Sequence, residues 1–316
     1  MAMQTQPLWV ACDVAKDTLV IVTSASDSAI TLSNQATAIR AWLKKQAGPV
    51  VLAVEATSTY HLELIEQAHA RGHVVYVVDG FQLSKYRECV GGRAKTDRTD
   101  AQLLLRYLRH EHRALRRWQP PPKGYAQLHT LLKRRAKLAQ SKESLKQSMQ
   151  GMAELKPSVA ALLRHFGHLD RLMLKRIRQL LSKLGWAADA RRCQGIEGVG
   201  PVVSALLVQS FHRAHFRSAD AYIAFLGLDV RARDSGQLRG KRKLTKRGDP
   251  EARRLLYMAA MTARRATTWA PYYQRMLERG MAPIQALVAL GRKIARIAFS
   301  LMKNQSDYVP RQPKFA

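Results

Sequence analysis

Residues 50–55 read VVLAVE, five consecutive apolar side chains followed by an acid. A continuous apolar run of this length predicts a strand buried on both faces of a sheet. The neighbouring segments alternate between apolar β-branched runs and helical spacing, and together they predict a mixed α/β sheet with helices on its faces. The other predicted elements are strands over 8–12, 19–23 and 74–78, a candidate strand over 29–32, and helices over 35–46 and 60–70.

Three consecutive prolines, Pro120 to Pro122, mark the end of the α/β region, because proline removes a backbone donor and fixes φ. A helix from Asp97 to His110 precedes them, and Gly91-Gly92 marks a loop before that helix. Beyond the prolines, apolar residues recur every seven positions at Leu131, Leu138, Leu145 and Met152.

This heptad spacing predicts a long helix, which Pro157 should end, and a second helix to about Leu184. Two interpretations stay open, a coiled-coil seam between protomers and an antiparallel helical hairpin packed on its own domain. The remaining residues have helical patterns, with a predicted helix start at Asp249-Pro250-Glu251. We therefore predict three parts: an α/β domain over 1–122, a helical coiled-coil spacer over 123–188, and an all-α C-terminal domain over 189–316.

The charge of the chain is strongly positive and unevenly distributed. Lys and Arg total 53 against 23 Asp and Glu, a net charge of +30. Residues 1–122 hold only +4 of it, with 15 basic and 11 acidic residues, so +26 falls on residues 123–316. This excess predicts a polyanionic partner, with nucleic acid favoured over a ribosomal or membrane surface.

We predict a cytoplasmic protein without a transmembrane helix. The three cysteines are scattered, no long apolar run occurs, and Met1–Trp9 lacks a secretion pattern.

Four acids in the first part have positions that suit a metal site. Asp13 and Glu55 each follow a predicted strand, and the ends of neighbouring strands lie together. Asp97 and Asp100 are three residues apart at a helix start, so they share a face. Four carboxylates at one place repel one another unless cations intervene, and paired Mg²⁺ ions serve phosphodiester chemistry in this way. Taken singly the aspartates are explained as turn, cap and dipole residues, whereas Glu55, beside small residues, has no such explanation.

A second candidate site, Asp234-Ser235-Gly236, lies in the most basic run of the chain. One interpretation is a cationic loop that binds phosphate without catalysis. The other is that Ser235 is a nucleophile toward phosphorus, with cations stabilising the developing charge. No histidine lies in this run to take the serine proton. The residues predicted to bind nucleic acid here are Arg231, Arg233, Arg239, Lys241, Arg242, Lys243, Lys246 and Arg247.

The glycine-rich segment from Gly195 to Gly200 predicts a tight turn before a helix. Backbone N–H groups in such a turn can approach a phosphate, so Gly198 and Gly200 are candidate nucleic-acid contacts. The segment resembles a helix–hairpin–helix element, and a purely structural turn between two helices is the alternative.

These motifs occur together in one family: the chain resembles transposases of the insertion-sequence-110 family, whose relatives include pilin-gene invertases. The resemblance covers nearly the whole length. It is carried by Asp13-Val14-Ala15-Lys16, Val54-Glu55-Ala56-Thr57, Lys95 to Ala101 (KTDRTDA), the turn Gly195 to Gly200, Phe225 to Leu228 (FLGL), Asp234-Ser235-Gly236 and Thr245 to Gly248 (TKRG).

The resemblance implies an RNase H-like domain similar to the RuvC resolvase, with an Asp-Glu-Asp-Asp metal site that maps to Asp13, Glu55, Asp97 and Asp100. It implies that Ser235 is the nucleophile, and Asp234 stands where relatives often have a second serine. It also implies Mg²⁺ as cofactor, double-stranded donor and target DNA, a structured non-coding guide RNA, and assembly as a dimer to tetramer.

Three other functions stay open at this stage. A site-specific DNA invertase would use the same residues. A metal-dependent junction resolvase or nuclease would need the four carboxylates but, with water as nucleophile, not Ser235. A non-enzymatic nucleic-acid-binding scaffold would need neither set.

Overall fold

The computed structural model describes residues 7–91, 96–231, 234–235, 238–239 and 242–310, with the backbone alone at residues 27, 234, 235, 238 and 239. The chain divides into two compact units, Met1–Pro120 and Pro121–Ala316, which are described separately below.

The first unit is a five-stranded mixed sheet with the strand order β3-β2-β1-β4-β5. Strands β1, β4 and β5 are mutually parallel, whereas β2 and β3 extend the sheet as an antiparallel meander beside β1. Its elements are β1 (Leu8–Val14), β2 (Thr18–Thr23), β3 (Ser26–Ser33), α1 (Ala36–Lys44), β4 (Val50–Glu55), α2 (Leu62–Ala70), β5 (Val74–Val78), α3 (Gly80–Val90) and α4 (Asp97–Glu111).

Helices cover both faces of this sheet, as its buried central strands require. One face packs Val10, Cys12 and their neighbours against α1 and α2, and the other packs Ala11 and Ala53 against α3 and α4. The candidate third strand is confirmed as β3. Helix α3 was not predicted from the sequence, and it lies on the face where the acids are found.

The second unit consists mainly of helices around one apolar core. Its elements are α5 (Tyr125–Ser148), α6 (Lys156–Lys183), α7 (Ala187–Gln194), α8 (Pro201–His212), α9 (Ala219–Phe225), β6 (Val230–Arg231), β7 (Asp234–Ser235), β8 (Leu238–Arg239), β9 (Lys243–Leu244), α10 (Pro250–Ala263), α11 (Ala270–Glu278) and α12 (Pro283–Asn304). The prediction of an all-α C-terminal domain is therefore wrong between α9 and α10. Four two-residue strands pair there, because basic residues with few apolar neighbours have no face that a helix could bury.

The predicted spacer corresponds to α5 and α6, which pack against each other and are joined by an ion pair between Arg135 and Asp170. The first helix ends at Ser148, before Pro157, and Pro157 lies in the first turn of α6. Proline is tolerated there because the first N–H groups of a helix have no intrahelical partner. Leu128 and Ile177 are buried in the core shared with the C-terminal helices. The coiled-coil seam and the three-part division of the chain stay predictions.

Candidate active site

Asp13 and Glu55 lie side by side at one edge of the sheet. Strands β1 and β4 are parallel, and their last paired residues are Cys12 and Val54. The same register, extended by one residue, brings Asp13 beside Glu55. Side chains alternate between the faces of a sheet, so both acids lie on the face of Ala11 and Ala53, under α3 and α4.

Asp97 and Asp100 reach the same place from the first turn of α4. That helix buries Ala101 and Leu104 against the sheet. Asp97 precedes Ala101 and Asp100 precedes Leu104 by four positions each, so the two acids extend the same stripe past the sheet edge. Thr96 caps the helix and exchanges hydrogen bonds with Thr99, so neither acid is needed as the N-cap. Capping of the helix therefore does not explain why acids occur at these two positions.

The charges of the four acids influence one another. Burial, and next the negative charges of Asp97, Asp100 and Glu55, together raise the pKa of Asp13 from 3.8 to about 6, although a hydrogen bond from the Val14 backbone acts to lower it. Like charges that raise a pKa in this way are relieved by a bound cation, and carboxylate oxygens are the ligands that hard divalent cations prefer. The donor chemistry of the set therefore fits such an ion.

The side chains themselves are not arranged around an ion. Among the described residues, no group of three or more His, Cys, Asp or Glu side chains is placed so that it could hold a metal. A basic side chain lies among them instead, since Arg87 of α3 donates from Nη2 to Asp100 Oδ1 at 2.7 Å. The two residues line a cavity of about 270 Å³ together with Glu55, Gly80, Leu83 and Ser84.

Gly80 leaves room for the carboxylate of Glu55. A Cβ atom added at Gly80 would lie 2.4 Å from Glu55 Oε1, well inside contact distance. Asp79 caps α3 by accepting from the N–H groups of Phe81 and Gln82, which fixes the helix start beside the site. Gly80 and Arg87 were not identified from the sequence. Asp79, which follows β5 and caps the next helix, was the one available signal for α3.

Ser235 lies in the second unit, in a basic hairpin that we define as the described residues 229–231, 234–235, 238–239 and 242–245. Val230 pairs with Leu244 and Arg231 with Lys243, and further along Asp234 pairs with Arg239 and Ser235 with Leu238, all antiparallel. The backbone of Ser235 thus belongs to the inner of two nested pairings.

The base of the basic hairpin is fixed by two glycines from separate motifs. A Cβ at Gly248 would lie 2.6 Å from the backbone nitrogen of Gly227, and Gly227 itself has φ +71°. Backbones that approach so closely exclude any side chain at these positions. Thr245 completes the closure, donating its backbone N–H to the Asp229 carbonyl at 3.0 Å and its hydroxyl to the Asp229 carboxylate.

The predicted nucleic-acid contacts of this region are exposed wherever their side chains are described. These are Arg231, Arg242, Lys243, Lys246 and Arg247. Only the backbone of Arg239 is described, while Arg233 and Lys241 lie outside the described residues.

The glycine-rich turn connects α7 to α8. Gly198 has φ +87°, and a Cβ there would lie 2.4 Å from the Ala259 carbonyl oxygen, so it is required for packing on α10. Gly200 precedes α8 with open space around it, which leaves it the better placed of the two for a phosphate. Glu197 in the same turn accepts from Thr268 Oγ1 at 2.9 Å and Trp269 Nε1 at 3.0 Å, so the turn is anchored to the start of α11.

Comparison with known proteins places both units among transposases. A family model described as transposase matches residues 10–155, and one described as transposase of the IS116/IS110/IS902 family matches residues 190–274. The pilin gene-inverting protein of Moraxella bovis is 28% identical over 269 residues, 82% of each chain. A probable family 20 transposase of Pseudomonas aeruginosa is 29% identical over 167 residues, 50% of this chain and 46% of the relative. No helix in the described part of the chain is long and apolar enough to cross a membrane.

Proposed function

Since the chain belongs to the IS110 family of transposases, and is therefore a DNA transposase or recombinase, we propose that it cuts and rejoins DNA with Ser235 as nucleophile. The observation that supports the cutting of DNA is the convergence of Asp13, Glu55, Asp97 and Asp100 on one face of the sheet, where burial and the charges of the other three acids raise the pKa of Asp13. The role of Ser235 is proposed from the family resemblance.

The family match indicates divalent-metal dependence, and we propose that the four carboxylates hold Mg²⁺. A bound ion would supply charge stabilisation at the scissile phosphate and help to activate the attacking hydroxyl. The acids of the first unit cannot approach a phosphate without such neutralisation, because they carry the same charge as the phosphate itself.

The covalent step proposed for Ser235 is a displacement at phosphorus. Its oxygen forms a new bond to the DNA phosphorus, the bond to one sugar oxygen breaks, and that oxygen leaves as a free hydroxyl. The hydroxyl of another duplex then attacks the phosphoserine, releasing the serine and joining the strands. The basic residues of the hairpin, Arg231 and Lys243 among them, and Lys246 just after it bind the flanking phosphates and stabilise the developing charge.

The guide and the assembly are proposed from the family resemblance and from charge. A structured RNA is proposed to choose donor and target DNA, and a dimer or tetramer to pair the acids of one protomer with Ser235 of another. The net charge of +26 on residues 123–316 supports binding to polyanions such as DNA and RNA.

The deciding experiment compares Ser235→Ala and Asp13→Asn in the full chain, with labelled cognate DNA, co-purified RNA and Mg²⁺. We expect neither variant to form a covalent protein–DNA adduct, and mass spectrometry of the wild-type adduct should place the nucleotide on Ser235. Matched controls are Ser182→Ala, at an exposed position of α6, and Asp17→Asn, at an exposed position after β1. Adduct formation or recombination by Ser235→Ala would refute the serine mechanism.

Site-specific inversion is a second candidate, favoured by the similarity over 82% of both chains to the pilin gene-inverting protein. The two functions differ in their DNA rather than in their residues. Rearrangement of one fixed locus, with no insertion of the gene at new positions, would favour inversion. A water-dependent resolvase would instead cleave with Ser235→Ala unimpaired.

A further inference from the structure

Arg87 forms an ion pair with one acid of the cluster, Asp100. Its guanidinium lies 2.7 Å from Asp100, and the side chains are 20% and 14% exposed. Charged groups withdrawn from water to this extent interact more strongly than surface pairs. By contrast, Lys85 and Glu88 on the same helix form an ion pair of which both side chains are more than half exposed.

The position of Arg87 follows from how α3 packs. Asp79 caps the helix start, and Leu83 is the one residue of α3 that is buried in the core. Arg87 lies one turn further along the same face, so the packing of Leu83 directs Arg87 toward the sheet edge. The ion pair to Asp100 is thus built into the helix register.

We propose that Arg87 and a divalent cation compete for Asp100, so that Arg87 neutralises the acidic cluster until the metal displaces it. This inference rests on the proposed function, which assigns the four acids to the metal. It accounts for the finding that the acids share one electrostatic environment while no three of them are placed to hold an ion.

The competition follows from the atom that is shared. Asp100 Oδ1 accepts the hydrogen bond from Arg87, and a divalent cation on that oxygen would lie about 2.0–2.6 Å away. A guanidinium and a divalent cation that contact the same carboxylate oxygen lie close together and repel each other. The Arg87 guanidinium must therefore leave Oδ1 before a cation can bind that oxygen.

Arg87 then has two opposite effects, which a purely structural residue would not have. It stabilises the metal-free fold by supplying positive charge to a group of acids. It also weakens metal binding, because part of the binding free energy is used to break the ion pair.

The experiment titrates Mn²⁺ into the metal-stripped full chain and measures the free ion by electron paramagnetic resonance. Arg87→Gln should bind Mn²⁺ on the order of tenfold more tightly than wild type, the expected effect of losing one charge-assisted hydrogen bond. Arg87→Lys, which keeps a charge without the planar fork, should tighten binding by a smaller factor. The matched control is Lys85→Gln, which removes the same charge from the same helix and should leave the affinity within about twofold, as expected for a surface pair.

Stability supplies the second readout. In EDTA, Arg87→Gln should unfold at lower urea concentration than wild type, and combining it with Asp100→Asn should cost less than the two single changes added together. If the wild type binds Mn²⁺ and Arg87→Gln binds it equally or more weakly, the competition is refuted while the proposed metal site stands. If neither the wild type nor any variant binds Mn²⁺, the proposed metal site fails and the competition fails with it.

Discussion

The raised pKa of Asp13 predicts that Asp13→Asn inactivates the enzyme and at the same time stabilises its metal-free fold. Ionised Asp13 is unfavourable in the folded state because it is partly buried beside three other acids. Asparagine keeps the shape of the side chain and removes the charge. The expected gain in the free energy of unfolding appears only without metal, since a bound cation makes the ionised form of Asp13 favourable.

The magnitude follows from the shift of the Asp13 pKa from an ordinary value of 3.8 to about 6. At 1.36 kcal/mol per pH unit this corresponds to at most about 3 kcal/mol, and solvent screening of a half-buried group reduces the expectation to about 1–2 kcal/mol. A raised folded pKa favours the fold below the unfolded pKa, and this advantage is lost as the pH rises through 6. The stability difference between Asp13→Asn and wild type should therefore be full at about pH 7.5 and fall to roughly a third at about pH 4.5.

Urea unfolding in EDTA at the two pH values measures this difference, and hydrogen exchange of the β1 and β4 amides assigns the transition to the first unit. Asp17→Asn provides the control, because this exposed residue lies just after the same strand and should change stability at neither pH. An Asp13→Asn variant no more stable than wild type at pH 7.5, or one whose advantage does not shrink on acidification, would refute the electrostatic reasoning.

Three other substitutions test single contacts. Gly80→Ala should displace the flexible Glu55 carboxylate and lower the rate of strand transfer at least about tenfold, while urea unfolding shows a loss of less than about 1 kcal/mol. The control is Gly48→Ala, which has open space around it and should change neither strand transfer nor stability. Gly227→Ala combines a left-handed φ with a backbone clash and should cost more than about 2 kcal/mol in the same unfolding assay; a smaller loss would show that the hairpin base is not close-packed. Burial acts to raise the pKa of Asp189, but the hydrogen bonds from His212 and Gln305 lower it overall. Asp189→Ala should therefore cost about 3 kcal/mol of unfolding free energy at pH 7 and progressively less below pH 4. A loss of stability that does not depend on pH would contradict this.

The sheet and its acids could be predicted because burial on both faces leaves a strong signal in the sequence. The run from Val50 to Val54 has no polar residue, and Glu55 directly after it has no local function. Parallel pairing then brings Glu55 beside Asp13 without further information. The neighbouring positions of Asp13 and Glu55 could thus be predicted from strand order alone.

Helix α3 could not be predicted in the same way, because Leu83 is the one residue of its eleven that is buried. With so little apolar periodicity, the segment before Gly91 is typical of a loop. The placement of Arg87 depends on tertiary packing of that single leucine. The basic hairpin was missed for a related reason, since its pairing depends on backbone hydrogen bonds and on contact between Gly227 and Gly248 rather than on an apolar face.

The distribution of charge between the two units separates most of the positive charge from the four acids. A group of four acids repels a phosphate, whereas the second unit, with most of the net charge of +30, attracts one. We therefore expect the second unit to supply most of the charge that binds DNA, and the acids to accept a phosphate only when cations neutralise them. Arg87 supplies one such charge in the metal-free protein, too little for four acids but enough to hold Asp100. An acidic cluster balanced in this incomplete way favours a divalent ion over a second basic side chain, because the ion brings two positive charges and a guanidinium only one.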